Sequence, residues 1–114
     1  MDSLLPGSAL EMLVLEVIAQ GPSYGYEIAQ TVAGRSGGTF EMKEGSLYPA
    51  LHRLERHKFL KSLWREADGR RRRYYELTDA GRAELASRKQ SWHRFAAGID
   101  GVLGSNRAGW AETT

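Results

Sequence analysis

One stretch constrains this chain more than any other: residues 43–77, KEGSLYPALHRLERHKFLKSLWREADGRRRRYYEL, where a short helical pattern passes straight into an antiparallel hairpin tipped by Arg70, Arg71, Arg72 and Arg73. Leu47, Ala50, Leu51 and Leu54 recur at helical spacing and share one face. LKSLWRE and RRYYELT read as the two strands, and Asp68-Gly69 between them suits a turn that needs positive φ. A helix sized for a major groove followed by a cationic ribbon is the layout of a winged helix-turn-helix. The stretch therefore predicts a mainly α fold with a small β-hairpin, and double-stranded DNA as the partner.

Away from its leucines, the helix presents Ser46, Tyr48, Pro49, His52 and Arg53, with Lys43 at its head. Hydroxyls, an imidazole and cations reach base edges or phosphate oxygens, so these residues are the candidate DNA contacts. The alternative is that Tyr48 packs inward and His52 is merely exposed. Pro49 is expected in the first turn, where the missing N–H costs nothing. In the hairpin, Trp64, Tyr75 and Leu77 are expected to point inward, because strand aromatics more often fill a sheet face than stack on bases.

Charge supports the same partner. Between Arg53 and Arg73 nine Lys or Arg face three acids, a local +6, whereas the whole chain carries only +2 and the remainder is therefore −4. Affinity for phosphates depends on where cations cluster, not on their total. An isolated run of arginines is more often a solvated surface, and the preceding helix is what raises this one above that reading.

A chain of 114 residues fits one domain, with little core to spare for a deep catalytic cleft. It has no glycine-rich phosphate loop, no G-x-S-x-G elbow and no metal-spaced ligands; His52 and His57 sit about 140° apart on a helix, and His93 stands alone. An enzyme is not expected, nor is a cofactor or a metal. With no cysteine, thiolate and disulfide chemistry are absent. MDSLLPGS lacks a cationic start, and ALEMLVLEVIA is interrupted by Glu11 and Glu16, so neither a signal peptide nor a membrane span is expected and the cytoplasm is the expected compartment.

The first helix is expected from Ala9 to Gln20 behind a Ser8–Glu11 capping box. Leu10, Leu13, Val14, Val17 and Ile18 form a core stripe, while Met12, Leu15 and Ala19 are apolar on another face, which meets a second subunit or the chain's own last helix. Gly21 and Pro22 end this helix, Ser23 caps the next over Tyr24–Ala33, and Gly34 stops it. Thr78 caps a last helix reaching Leu103, about 37 Å long. Along it Leu85, Trp92, Phe95, Ala96, Ile99, Val102 and Leu103 form a coiled-coil-like seam. A stripe with so little chain to cover it predicts dimerisation, with Met12 and Leu15 joining the interface. Trp92 and Phe95 either fill that interface, the favoured reading, or line a candidate effector pocket. The chain thus divides into a DNA-binding domain over 1–77, a dimerisation helix over 78–103 and a tail over 104–114 expected to be mobile.

SYGYEI at 23–28, EGSLYPALHRLE at 44–55, RRRYYELTDAG at 71–81 and the segment from Trp92 to Leu103 together resemble the PadR-like transcriptional regulators, in particular short members with a single carboxy-terminal helix. That resemblance covers Leu10 to Leu103. It implies a homodimeric repressor, joined through its last and first helices, that leaves its operator when a small molecule or other signal is sensed; the two-fold symmetry of such a dimer predicts an inverted-repeat operator. It also implies that Tyr24, Ser46, Tyr48, Pro49 and the Arg70 to Arg73 wing face DNA. The competing class is a winged-helix protein-interaction module without DNA binding, since fold alone does not fix function. Coincidence of a polar third helix with a cationic wing favours DNA.

Overall fold

Four helices surround a small sheet in the computed structural model, which describes residues 7–104: α1 (Gly7–Ala19), β1 (Ser23–Tyr24), α2 (Gly25–Arg35), α3 (Glu44–Arg56), β2 (Leu60–Ala67), β3 (Arg70–Leu77) and α4 (Asp79–Leu103). The expected tail beyond Gly104, Trp110 included, lies outside the described residues. The sheet is antiparallel in the order β1-β3-β2.

α1 is the hub, packed against α2, α3, α4 and β3. Val14, Leu15 and Ile18 are fully buried and meet Ile28 of α2, Leu47, Ala50, Leu51 and Leu54 of α3, Leu60 and Tyr75 of the hairpin, and Leu85 of α4 in one cluster. Removing such side chains from water contributes roughly 1.5–3 kcal/mol each. Leu15 is therefore not the intersubunit residue that its place on a second apolar face predicts: at 0% exposure it is spent inside this chain. α1 is apolar most of the way round, so its periodicity does not say which neighbour takes which side.

Local signals at two helix starts lose to long-range partners. α1 already runs through Ser8, and the Glu11 carboxylate accepts hydrogen bonds from Arg53 of α3 and Arg88 of α4, each at 2.9 Å, rather than closing a capping box. Ser23 does not cap α2; it pairs with Tyr75 in β1, and its hydroxyl donates to the Gly21 carbonyl. Gly34 lies inside α2, which ends one residue later. Pro49 is not in the first turn either. With α3 starting at Glu44 it is the sixth helical residue, so the carbonyl of Gly45 is denied its usual donor.

At the other end of the hairpin, Thr78 behaves as expected. Its hydroxyl oxygen accepts from the Gly81 N–H at 2.9 Å and starts α4. Arg88 and Lys89 then clamp the base of α4 to Glu11 and Glu16 of α1.

Candidate nucleic-acid interface

α3 turns its leucines into the core and its other side outward, as the spacing requires: Tyr48, Pro49 and His52 are exposed and Ser46 is half-buried. The wing stands beside it. Asp68 and Gly69 take φ values of 54° and 73°, the paired left-handed conformation of a two-residue hairpin turn. Strict pairing from Leu60↔Leu77 to Ala67↔Arg70 then fixes which way each arginine leans. Arg71 and Arg73 share a face with Trp64 and Tyr75, and Arg70 and Arg72 share the opposite one with Arg65 and Tyr74.

Between helix and wing lies a cleft of about 600 Å³. Tyr48 and His52 line it from α3, Arg70, Arg71, Arg72, Arg73 and Tyr75 from β3, and Tyr24, Gly25 and Tyr26 from β1 and the start of α2. Seven of the eleven candidate DNA contacts are thus brought into one concavity. Lys43 is the amino-terminal cap of α3 with its ammonium 2.9 Å from Glu41, and neither it nor Ser46, Pro49 or Arg53 borders the cleft. Arg53 is drawn away by Glu11.

The wing cations are held in different ways. Arg73 donates to Glu55 at 3.1 Å and to the Ser62 hydroxyl at 2.9 Å, and Ser62 in turn donates to Glu55 at 2.6 Å, so this arginine ties the wing to α3. Arg72 lies 4.5 Å from the centre of the Tyr24 ring, and Tyr24 meets Tyr74 edge-on at 5.2 Å. Arg71 stacks over Trp64 at 4.8 Å. Cation–π stacking of this kind orders a guanidinium without neutralising it. Burial pushes the Tyr75 hydroxyl pKa up, so it borders the cleft as a neutral group.

Trp64 corrects an expectation. It is on the inward face of the strand but 54% exposed, because the hairpin tip projects past the helices that cover Tyr75. Tyr26 also borders the cleft, although it is not among the residues that the sequence pattern singles out. Two residues before the buried Ile28 it must lie across the helix from the core, and it is 65% exposed, with its hydroxyl oxygen accepting from Gln30 at 2.8 Å.

A second concavity of about 840 Å³ lies between α1 and α4. Met12, Leu13 and Phe40 face Trp92 and Phe95 there, with Glu11 and Arg88 at its polar edge, and the two aromatic rings are 5.7 Å apart. Beyond it Ile99, Val102 and Leu103 remain exposed, whereas Leu85 and Ala96 are buried within the chain. Among the described residues no cluster of His, Asp or Glu is arranged to hold a metal ion, and no helix is long and apolar enough to cross a membrane.

Comparison with known proteins gives one consistent result. The sequence model of the transcriptional regulator PadR-like family matches residues 14–87. The transcriptional regulator Rv3488 of Mycobacterium tuberculosis is 35% identical over 94 residues, 82% of this chain and 85% of that one. The crystal structure of smu.1704 from Streptococcus mutans superposes with a TM-score of 0.80 at 35% identity, covering 88% of this chain and 91% of that one. A PadR-like transcriptional regulator from Bacillus cereus superposes with a TM-score of 0.73 at 34% identity, covering 85% and 93%.

Proposed function

The chain belongs to the PadR-like family of transcriptional regulators, and from that premise we propose that it is a homodimeric, sequence-specific repressor that binds double-stranded DNA in the cytoplasm and is released from its operator by a small molecule or other signal. The observation that carries DNA binding is the cleft between α3 and the wing, where hydrogen-bonding groups of one element face ordered cations of the other. Tyr48 and His52 read base edges, while wing arginines lie along phosphates and set the register.

Dimerisation rests on the seam of α4. Trp92, Phe95, Ile99, Val102 and Leu103 are 40%, 60%, 45%, 88% and 72% exposed in the single chain, a run of apolar surface that a second copy covers. Met12, beside Trp92 and Phe95, joins that interface. The same place supports the effector reading, since an apolar concavity between α1 and α4 with a charged pair at its edge suits a small, largely apolar molecule.

Selection of duplexes from a random-sequence pool tests this function. The expected product is an inverted repeat with half-sites about one helical turn apart. Recovery of no preferred sequence would leave the fold with a protein-interaction role.

A further inference from the structure

We propose that Gly25 is a specificity-determining residue: its missing side chain is the seat of the Tyr48 ring, and so fixes where the Tyr48 hydroxyl meets a base. The inference rests on the DNA-binding reading above.

Gly25 opens α2 and is buried. A Cβ placed on it would lie 2.5 Å from the Tyr48 hydroxyl oxygen, 2.8 Å from Cζ and 3.0 Å from Cε1, where ordinary contact begins at 3.4 Å. The far end of the ring therefore rests against bare backbone. No other residue type leaves that space. Two hollows adjoin the ring: Tyr48 borders both the cleft toward the wing and a smaller hollow of about 270 Å³ between α2 and α3. It stands as the partition between them, anchored by its Cα on α3 and by Gly25 at its tip.

A methyl group at position 25 displaces the ring tip by about an ångström before contacts become ordinary, and the two adjoining hollows give it room to move. A recognition group needs to be held within about 0.5 Å of its productive geometry, so this shift removes a hydrogen bond to a base edge while leaving the phosphate contacts of the wing intact. The backbone itself accepts alanine. Gly25 is not among the positive-φ glycines, and alanine is the better helix former. Loss of specificity without loss of stability is the expected signature, which a merely structural glycine does not produce.

The test is a double-mutant cycle on the full chain: wild type, Gly25→Ala, Tyr48→Ala and the double variant. Each is titrated against a duplex enriched by the wild type from a random pool and against a shuffled duplex of equal length, with thermal unfolding alongside. Gly25→Ala should melt at or above the wild-type temperature and bind the shuffled duplex unchanged. On the enriched duplex it should bind about tenfold more weakly, the size of one lost base contact. In the Tyr48→Ala background the same substitution should have no effect. Wild-type affinity for both duplexes, or equal losses with and without Tyr48, overturns the inference alone. A wild type that enriches no duplex overturns the DNA-binding reading and this inference with it.

Discussion

Arg53 of α3 donates from Nε to the Glu11 carboxylate at 2.9 Å, which turns a cation of the reading helix away from the cleft and toward α1. The other oxygen of the same carboxylate accepts from Arg88 of α4 at 2.9 Å, so one side chain joins the reading helix to the last helix. Glu11 is only 15% exposed, whereas Arg53 is 43% exposed. Replacing Glu11 by alanine removes the acidic partner of Arg53 and one of the two partners of Arg88, which keeps Glu84 at 2.6 Å, and should lower stability by about 1 to 2 kcal/mol; Arg53→Ala should cost about 1 kcal/mol or less. Arg53→Ala should also leave the salt dependence of DNA binding unchanged. Chemical denaturation and salt titrations measure the two effects.

Acid should loosen the same junction. Burial raises the Glu11 pKa, but hydrogen bonds from Arg88 and Arg53 and their charges outweigh it, leaving the carboxyl below its usual value of 4.5. The hydrogen bond from Lys89 likewise lowers Glu16, against its partial burial. A carboxylate with a lowered folded pKa contributes stability that is complete above 4.5 and is lost as pH falls through the folded value, because the unfolded chain binds more protons there. Melting temperatures measured from about pH 6 down to about pH 3 should therefore fall more steeply for the wild type than for the Glu11→Gln, Glu16→Gln double variant. Parallel curves would remove these carboxylates from the acid response.

Salt dependence separates the wing arginines. Arg73 is neutralised by Glu55, which leaves Arg71 alone on its face, whereas Arg70 and Arg72 share the other face without an acidic partner in reach of a described salt bridge. Alanine at Arg70 and Arg72 together, two positions in each subunit of a dimer, should flatten the slope of log affinity against log salt by about 3 to 4 units. Arg73→Ala should weaken binding by releasing the wing from α3 while leaving the slope nearly unchanged. An equal flattening from Arg73→Ala would mean that it abandons Glu55 for phosphate.

Assembly is checked by light scattering. The wild type should be a dimer at micromolar concentration, and Phe95→Asp with Ile99→Asp should give a monomer that still melts cooperatively, since both side chains are exposed in the single chain. That monomer should also lose operator affinity, because two half-sites no longer share one binding event. A variant that stays dimeric would place the interface elsewhere.

Elements coded by neighbouring residues were legible in advance: the leucine face of α3, the Asp68-Gly69 turn, the Thr78 cap and the cationic wing all depend on spacing within one segment. What escaped depends on residues far away in the chain. Ser23 has the composition of a helix cap, but the edge of β3 takes it 52 residues on at Tyr75. Glu11 has the spacing of a capping box and is taken by cations 42 and 77 residues away. Trp64 alternates correctly yet stays exposed, because strand periodicity gives the face and not how far the core extends beneath it. Leu15 lies on a helix whose two apolar sides only the packing distinguishes.

Base reading by α3 is tested most directly by the ratio of affinities for an enriched duplex and a shuffled duplex at one salt concentration, compared between the wild type and the Tyr48→Ala and His52→Ala variants. If these two side chains read bases from the cleft, each substitution should cut the enriched-duplex affinity by about tenfold or more and leave the shuffled-duplex affinity nearly unchanged, collapsing the ratio. Equal losses on both duplexes, which leave the ratio unchanged, would assign Tyr48 and His52 to the DNA backbone, and wild-type affinity on both duplexes would remove them from the interface; either result contradicts base reading by these two side chains.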